Sequence, residues 1–343
     1  MKILILKPSS LGDVIHALPV LRLLKEHLPE SEIYWWIEAG LAPLLEGDPD
    51  LAGLIQFNRR RWAQPKNWAK LWRDVQWTRV QNFDWVIDLQ GLARSAVFGW
   101  LANGQLSIGL EESREGARGF YDIVAPRSPF ATHAVDRYLG VLTLLKVPIH
   151  WDFQWLPAQP EVAASVRRKW TIDGTRWVIL QPGARWRNKR WPVESFAQFV
   201  SQFPGKANSV RFAILGGAED RQLGMTIAQA SPERCLDLTG KLSLSEMLEW
   251  IRLSELMVTN DTGPMHAAAA LRKPVVALFG PTEPRRTGPY GQIENVIQLA
   301  LPCVPCMRPR CHYPLPLECL RALPVSTVLK RVEKHLAATS REV

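Results

Sequence analysis

An α/β protein made of two Rossmann-like domains facing each other across a cleft is the fold this chain predicts. Three observations lead there. Short apolar runs alternate with segments of helical spacing along most of the chain, the rhythm of a parallel sheet with helices on both faces. The runs end in turns bearing glycine or proline, and in such sheets the carboxyl ends of the strands open onto the ligand crevice. The length, 343 residues, suits two domains rather than one.

The elements follow in order. Residues 3–6 (Ile-Leu-Ile-Leu), bounded by Lys2 and Lys7, read as a buried parallel strand, and residues 14–24 as an amphipathic helix. Strands are predicted at 31–37 and 51–57, the second leading into Arg59-Arg60-Arg61. A polar, Trp-bearing helix covers 68–80, a strand covers 84–89, a helix 93–101, a short strand 105–110 and a helix 135–145. These make a first domain, 1–150. Prolines 148, 157 and 160 mark a linker over 147–160. The second domain, 160–324, carries strands at 177–181, 210–215, 235–238, 256–260 and 274–279. Its helices are predicted at 195–203, 221–230, 243–252 and 264–271, and a last helix over 325–337 begins a C-terminal segment, 325–343.

Bulk composition narrows the function. Apolar residues make up 47%, enough for a core in each domain, and no apolar run approaches the roughly 20 residues of a membrane span. The chain enters its first strand directly, without a signal segment, so the expectation is a mature protein starting at Met1 in the cytoplasm. The net charge of +9 implies acidic partners. No recognition helix, ribonucleoprotein motif or Cys/His finger is present, which argues against nucleic acid. Several of the 15 Trp residues adjoin Arg: Arg61-Trp62, Trp72-Arg73, Trp186-Arg187 and Arg190-Trp191. Such pairs suit the edge of a membrane, and core or rim packing is the other reading.

Candidate chemistry sits where strands become helices. In the first domain, Lys7-Pro8-Ser9-Ser10-Leu11-Gly12-Asp13 places one carboxylate at a helix start, where Asp13 either caps the helix or faces the crevice as a catalytic group. In the second, Asn260-Asp261-Thr262-Gly263-Pro264-Met265-His266 offers backbone N–H groups and a helix dipole to a pyrophosphate. His266 lies one turn beyond Thr262, while Asp261 would orient donors or hold a sugar hydroxyl. Residues 181–192 crowd Arg185, Arg187, Lys189 and Arg190 into one loop, suited to an anionic leaving group. Gly216-Gly217 with Glu219, and Gly280-Pro281-Thr282, end two more strands. Asp48-Pro49-Asp50 reads as a turn without a metal. The absence of a Walker loop and of G-x-G-x-x-G leaves hydride transfer poorly supported. Cys303, Cys306, Cys311 and Cys319 form a cluster in sequence that reads either as reduced thiols or as a structural zinc or iron site.

These residues resemble a known family, the bacterial lipopolysaccharide heptosyltransferases. The opening from Lys7 to Pro19, His133-Ala134-Val135-Asp136-Arg137-Tyr138, Lys189 ahead of Trp191-Pro192, Asp261-Thr262-Gly263 with His266, and Phe279-Gly280-Pro281-Thr282 carry the likeness. The Ser-Ser-Leu-Gly-Asp form looks more like the type I enzymes. The resemblance implies a GT-B fold, ADP-heptose as donor, a Kdo residue of Kdo-lipid A (or another lipopolysaccharide precursor) as acceptor, and inversion at the anomeric carbon without a catalytic metal or cofactor. It implies Asp13 as general base and Lys189 as the cation on the departing ADP. Gly183, Ala184, Arg185, Glu219 (ribose), Leu242 (adenine), Asp261, Thr262, Gly263 and His266 would bind the donor. Ser10, Gly12, Arg60, Arg61 and Arg114 would bind the acceptor. Ala184 and Arg185 stand where type I enzymes can carry hydroxyl residues. The implied location is peripheral, on an anionic membrane surface at the cytoplasmic face of the inner membrane. Two alternatives are a same-fold transferase using another sugar nucleotide or acceptor, and a non-catalytic sugar-nucleotide-binding protein.

Overall fold

The computed structural model describes residues 1–58, 68–170, 172, 174–204 and 210–339. The chain divides into two compact units, Met1–Pro157 and Ala158–Val343. Each holds one six-stranded sheet in which every strand pair is parallel.

In the first unit β1 (Lys2–Leu6) is followed by α1 (Leu11–His27), β2 (Glu32–Glu38), β3 (Gly53–Phe57), α2 (Trp68–Val80), β4 (Trp85–Asp88), α3 (Ala93–Ala102), β5 (Leu106–Leu110), β6 (Ile123–Ala125) and α4 (Ala134–Leu144). The sheet order is β3-β2-β1-β4-β5-β6. The chain reverses direction of travel between β1 and β4, and the carboxyl ends at such a switch point form a crevice. Leu4, Leu6, Trp36, Ile55, Phe57 and Val86 of the strands meet Val75 of α2 and Phe98 and Ala102 of α3 on one sheet face. There Trp36 stacks between Phe57 and Phe98, centroids 4.3 and 4.5 Å away.

Helix α1 departs from its expected amphipathic character: residues 14–24 are buried all round, because α4 packs on the side turned from the sheet. The charged residue in that run, Arg22, is matched by the 48–50 turn. Its guanidinium donates to both carboxylate oxygens of Asp48 (2.6 and 2.5 Å), to Asp50 (2.6 Å) and to the Trp155 carbonyl (2.9 Å). The acid pair of the Asp48-Pro49-Asp50 turn is therefore the counter-charge of a buried arginine.

The second unit runs α5 (Pro160–Trp170), β7 (Trp177–Gln181), α6 (Val193–Gln202), β8 (Arg211–Ile214), α7 (Arg221–Ala230), β9 (Cys235–Asp237), α8 (Leu244–Leu253), β10 (Leu256–Asn260), α9 (Gly263–Ala270), β11 (Val275–Phe279), β12 (Val296–Gln298) and α10 (Val325–Thr339). Its order, β12-β11-β10-β7-β8-β9, repeats the winding of the first sheet, with the reversal between β7 and β10. Strands β7, β10 and β11 are buried at every position. That explains their unbroken apolar runs. Helix α5 and strands β6 and β12 were not expected from the sequence.

Candidate active site

The turn leaving β1 is built around Ser10 and Asp13. Ser10 is the N-cap of α1, and Asp13 is the third residue of its first turn. One carboxylate oxygen of Asp13 accepts from the Ser10 N–H (3.0 Å) and the Ser10 hydroxyl (2.7 Å). So Asp13 reaches back to the cap instead of being the cap, and it remains partly exposed. Ser10 is exposed and Gly12 is buried.

Charge is organised around this turn. The Lys7 ammonium donates to the Leu89 carbonyl at the end of β4 (2.9 Å) and lies 4.6 Å from the centroid of the Tyr138 ring. Trp35 donates to the Lys7 carbonyl (3.0 Å), which fixes the strand end. Burial pushes the Tyr138 phenol above its ordinary range; Lys7 opposes the shift and the negative Asp13 adds to it. His16, three residues beyond Asp13 on α1, meets His133 edge to face at 5.0 Å. Lys7, His16, His133 and Tyr138 thus surround the turn, though sequence reasoning gave them no role.

The end of β4 carries another acid, this one buried. Asp88 accepts from the N–H groups of Gln90 (2.8 Å) and Gly91 (3.0 Å) and from the Tyr121 hydroxyl (2.7 Å). Burial raises its acidity constant's pKa, and these donors counteract the rise. Gly91 has φ +64, in the left-handed region, and its carbonyl accepts from the Arg114 N–H (2.8 Å). Exposed Arg114 is thereby brought to the same sheet edge as Asp13. Arg60 and Arg61 lie outside the described residues.

In the second unit a cavity of about 560 Å³ opens at the carboxyl ends of β7, β8 and β10. Of the expected donor-binding residues, Gly183, Ala184, Arg185, Glu219, Leu242 and Thr262 line it. Arg190, one of the cations expected to meet an anionic leaving group, also lines it, as do Asp220, Ser243 and Met247, which were not predicted as site residues. Gly183 is needed because an added Cβ would come within 2.3 Å of an Asp220 oxygen. Burial raises the Asp220 pKa; the Gly217 N–H, 3.1 Å away, and Arg190 oppose it. Arg190 holds the loop by donating to the Ala184 carbonyl (2.8 Å).

Lys189, Asp261, Gly263 and His266 are not among the cavity walls. Lys189 pairs with Asp261 at 2.6 Å, and the same oxygen accepts from the Thr282 hydroxyl at 2.6 Å. The Lys189 ammonium also sits 4.8 Å from the Trp186 ring centroid. Asp261 is therefore an orienter of donors from two other turns. Thr262 is the N-cap of α9, Gly263 its first residue, and His266 is buried within it. Asn260 at the end of β10 accepts from the Trp191 N–H (3.0 Å) and donates to the Pro182 carbonyl (2.8 Å), joining the two loops across the switch point.

The expected structural zinc or iron is not supported. Among the described residues no group of three or more His, Cys, Asp or Glu side chains could hold a metal ion. Cys319 is buried, and burial together with the neighbouring thiols of Cys303, Cys311 and Cys306 pushes its pKa up to about 11. Asn188 ties the cysteine-bearing loop to the 181–192 loop by donating to the Arg308 carbonyl (2.8 Å), and within it the Leu317 N–H donates to Cys311 Sγ (3.3 Å).

Residues 68–315 match the family model described as glycosyltransferase family 9 (heptosyltransferase). Lipopolysaccharide heptosyltransferase 1 of Pseudomonas aeruginosa is 31% identical over 328 residues, covering 91% of this chain and 88% of that protein. Among solved structures, Escherichia coli ADP-heptose lps heptosyltransferase II superposes with a TM-score of 0.78 at 23% identity, over 99% of this chain and 100% of that one. Escherichia coli heptosyltransferase WaaC with ADP gives a TM-score of 0.75 at 25% identity, over 98% and 100%. The fold shared with these structures is GT-B.

Proposed function

The chain belongs to glycosyltransferase family 9, the heptosyltransferases, and from that premise we propose that it builds the lipopolysaccharide core by transferring L-glycero-D-manno-heptose from ADP-heptose to a Kdo residue of Kdo-lipid A. The names of its relatives support the sugar and the pathway. The type I assignment, and with it the Kdo acceptor, rests on the Ser-Ser-Leu-Gly-Asp turn and on the identity to a type 1 enzyme.

The observation that carries the reading is the cavity in the second unit, with Glu219, Leu242 and Thr262 on its walls. Its size suits a nucleotide. Glu219 can accept from ribose hydroxyls, Leu242 and Met247 offer an apolar surface for adenine, and Thr262 with the first N–H groups of α9 suits a diphosphate.

The reaction follows from these parts. The acceptor hydroxyl attacks the anomeric carbon from the face opposite the leaving group and inverts it. Asp13 takes the hydroxyl proton as the new C–O bond forms, and the bond to the diphosphate breaks toward ADP. Lys189 and the α9 N-terminus balance the charge that develops on the departing phosphate. No metal is required for these steps. Arg114, with Arg60 and Arg61, supplies cations for an acidic acceptor. The lipid-linked acceptor places the protein peripherally at the cytoplasmic face of the inner membrane. Among the described residues no helix is long and apolar enough to cross a membrane.

Incubation with ADP-heptose and Kdo-lipid A should release ADP and add one heptose to the lipid, read by mass spectrometry. Asp13→Ala should lower kcat by roughly 10²–10⁴ while ADP still binds. Undiminished turnover in that variant would remove Asp13 from its role. Turnover only with another sugar nucleotide or acceptor would correct the substrate.

A further inference from the structure

Resting on the membrane-linked acceptor just argued, we propose that the outward faces of α2 and α3 are the surface on which the protein docks onto an anionic phospholipid bilayer. The two helices pack against each other and cover the same sheet face: Val75 of α2 and Phe98 and Ala102 of α3 belong to one core cluster. Their outer faces are not built for water. On α2, Trp72 is 57% exposed, Trp77 47% and Val80 67%; on α3, Trp100 is 63% exposed and Val97 38%. A lone exposed apolar residue is ordinary, but three tryptophans on two adjacent helices form a patch that calls for a partner.

Charge selects the partner. Arg73 and Arg79 lie among the exposed residues of α2, and Arg94 stands three residues before Val97 on α3. No exposed described residue of either helix is Asp or Glu. The one acid of the two helices, Asp74, is half-buried, and a face that exposes tryptophan and arginine matches the headgroup layer, where the ring's apolar body and its N–H are both satisfied and the cations meet lipid phosphate. Trp77 rests edge-on against Tyr34 (6.3 Å) and Trp100 against Phe120 (6.5 Å), so the rings are braced before they meet lipid. The 13 residues of α2 span roughly 20 Å, too short to cross a bilayer and suited to lying along it.

The test uses the full chain and vesicles without acceptor, so that binding reports this surface and not the active site. The protein should co-sediment with vesicles of phosphatidylethanolamine and phosphatidylglycerol, weakly with phosphatidylcholine alone, and less as salt rises. The triple variants Trp72→Glu/Trp77→Glu/Trp100→Glu and Arg73→Glu/Arg79→Glu/Arg94→Glu should each bind at least roughly tenfold more weakly. Both should keep the wild-type thermal transition and wild-type turnover on a Kdo acceptor lacking acyl chains. Vesicle binding equal to wild type in both variants would overturn the proposal. So would loss of a self-associated species in the variants, seen by light scattering, without any change in vesicle binding. Absence of turnover with any Kdo acceptor, alongside vesicle binding that the variants abolish, would sink the acceptor reading and uphold the docking surface.

Discussion

Lys189 and Asp261 are separated by 72 residues yet share a 2.6 Å contact, with Thr282 on the same carboxylate oxygen. If Asp261 acts by aiming Lys189 at the leaving diphosphate, the two substitutions cannot add. Lys189→Met should lower kcat/KM by roughly 10²–10³, the loss expected for one donor to developing charge. Asp261→Asn should cost less, and the double variant should be no worse than Lys189→Met. Steady-state kinetics of the four proteins measure this; additive losses would give Asp261 an independent contact with the donor. Arg22 makes a different case. Its side chain is 7% exposed and that of Asp48 1%, against 26% for Asp50. Arg22→Met strands Asp48 in the interior and should destabilise the first unit by about 3–5 kcal/mol in urea unfolding. Asp50→Asn leaves the buried pair intact and should cost less than about 1 kcal/mol.

At the scale of elements, α8 shows how a helix start next to a ligand cavity is held. Ser243 caps it by accepting from the Glu246 N–H (3.2 Å), and Glu246 accepts from the Ser243 N–H (2.8 Å) and from Lys169 of α5 (3.0 Å). Burial alone would raise the Glu246 carboxyl, but the Ser243 and Lys169 contacts outweigh it and hold it below its ordinary value. A carboxyl depressed in the folded state stabilises the fold above its unfolded pKa, and that gain is lost as pH falls through the folded value. The stability gap between wild type and Glu246→Gln should therefore be widest near neutrality and close below about pH 4. Ser243→Ala should cost about 1 kcal/mol at neutral pH. Denaturant midpoints across pH check both. The Ser-x-x-Glu pattern was readable, yet its place in the cavity wall was not, because strand order rather than local sequence brings Leu242, Ser243 and Met247 beside Gly183. Strands β7, β10 and β11 were legible as unbroken apolar runs. Helix α5 was not, although Val162, Val166 and Trp170 repeat every four residues, because the prolines at 157 and 160 mark its start as part of a linker. Strands β6 and β12 are three residues each, too short for a period to register. The turns at the β1 and β10 ends could be read because a carboxylate, a glycine and small polar residues interrupt an apolar run in both places. The Lys189–Asp261–Thr282 contact could not be read, since it joins three turns that only the sheet order makes neighbours.

Over the whole molecule, the same strand order occurs twice without a sequence repeat to announce it. Topology is set by which runs are apolar and how the crossovers turn, so two different sequences reach one winding. The consequence is a division of labour. The expected base and acceptor cations belong to Met1–Pro157, and the expected nucleotide contacts to Ala158–Val343. Each unit has its own buried cluster, one around Trp36 and one around Trp191 and Phe212. A ligand that binds only the second unit should thus protect that unit more than the first. At 100 times its Kd, ADP should stabilise its unit by about 2.7 kcal/mol. Hydrogen exchange read by mass spectrometry should slow most in peptides spanning β7 to α9, among them the walls at Gly183, Gly217 and Leu242, with smaller changes in residues 1–157. UDP should protect less, because uracil's single ring covers less of the apolar surface of Leu242 and Met247 than adenine does, and GDP should protect less where the donor is ADP-heptose. Uniform protection of both units by ADP would mean that the nucleotide's binding energy is shared with the first unit. Equal protection by all three nucleotides would mean that the cavity reads the diphosphate and not the base.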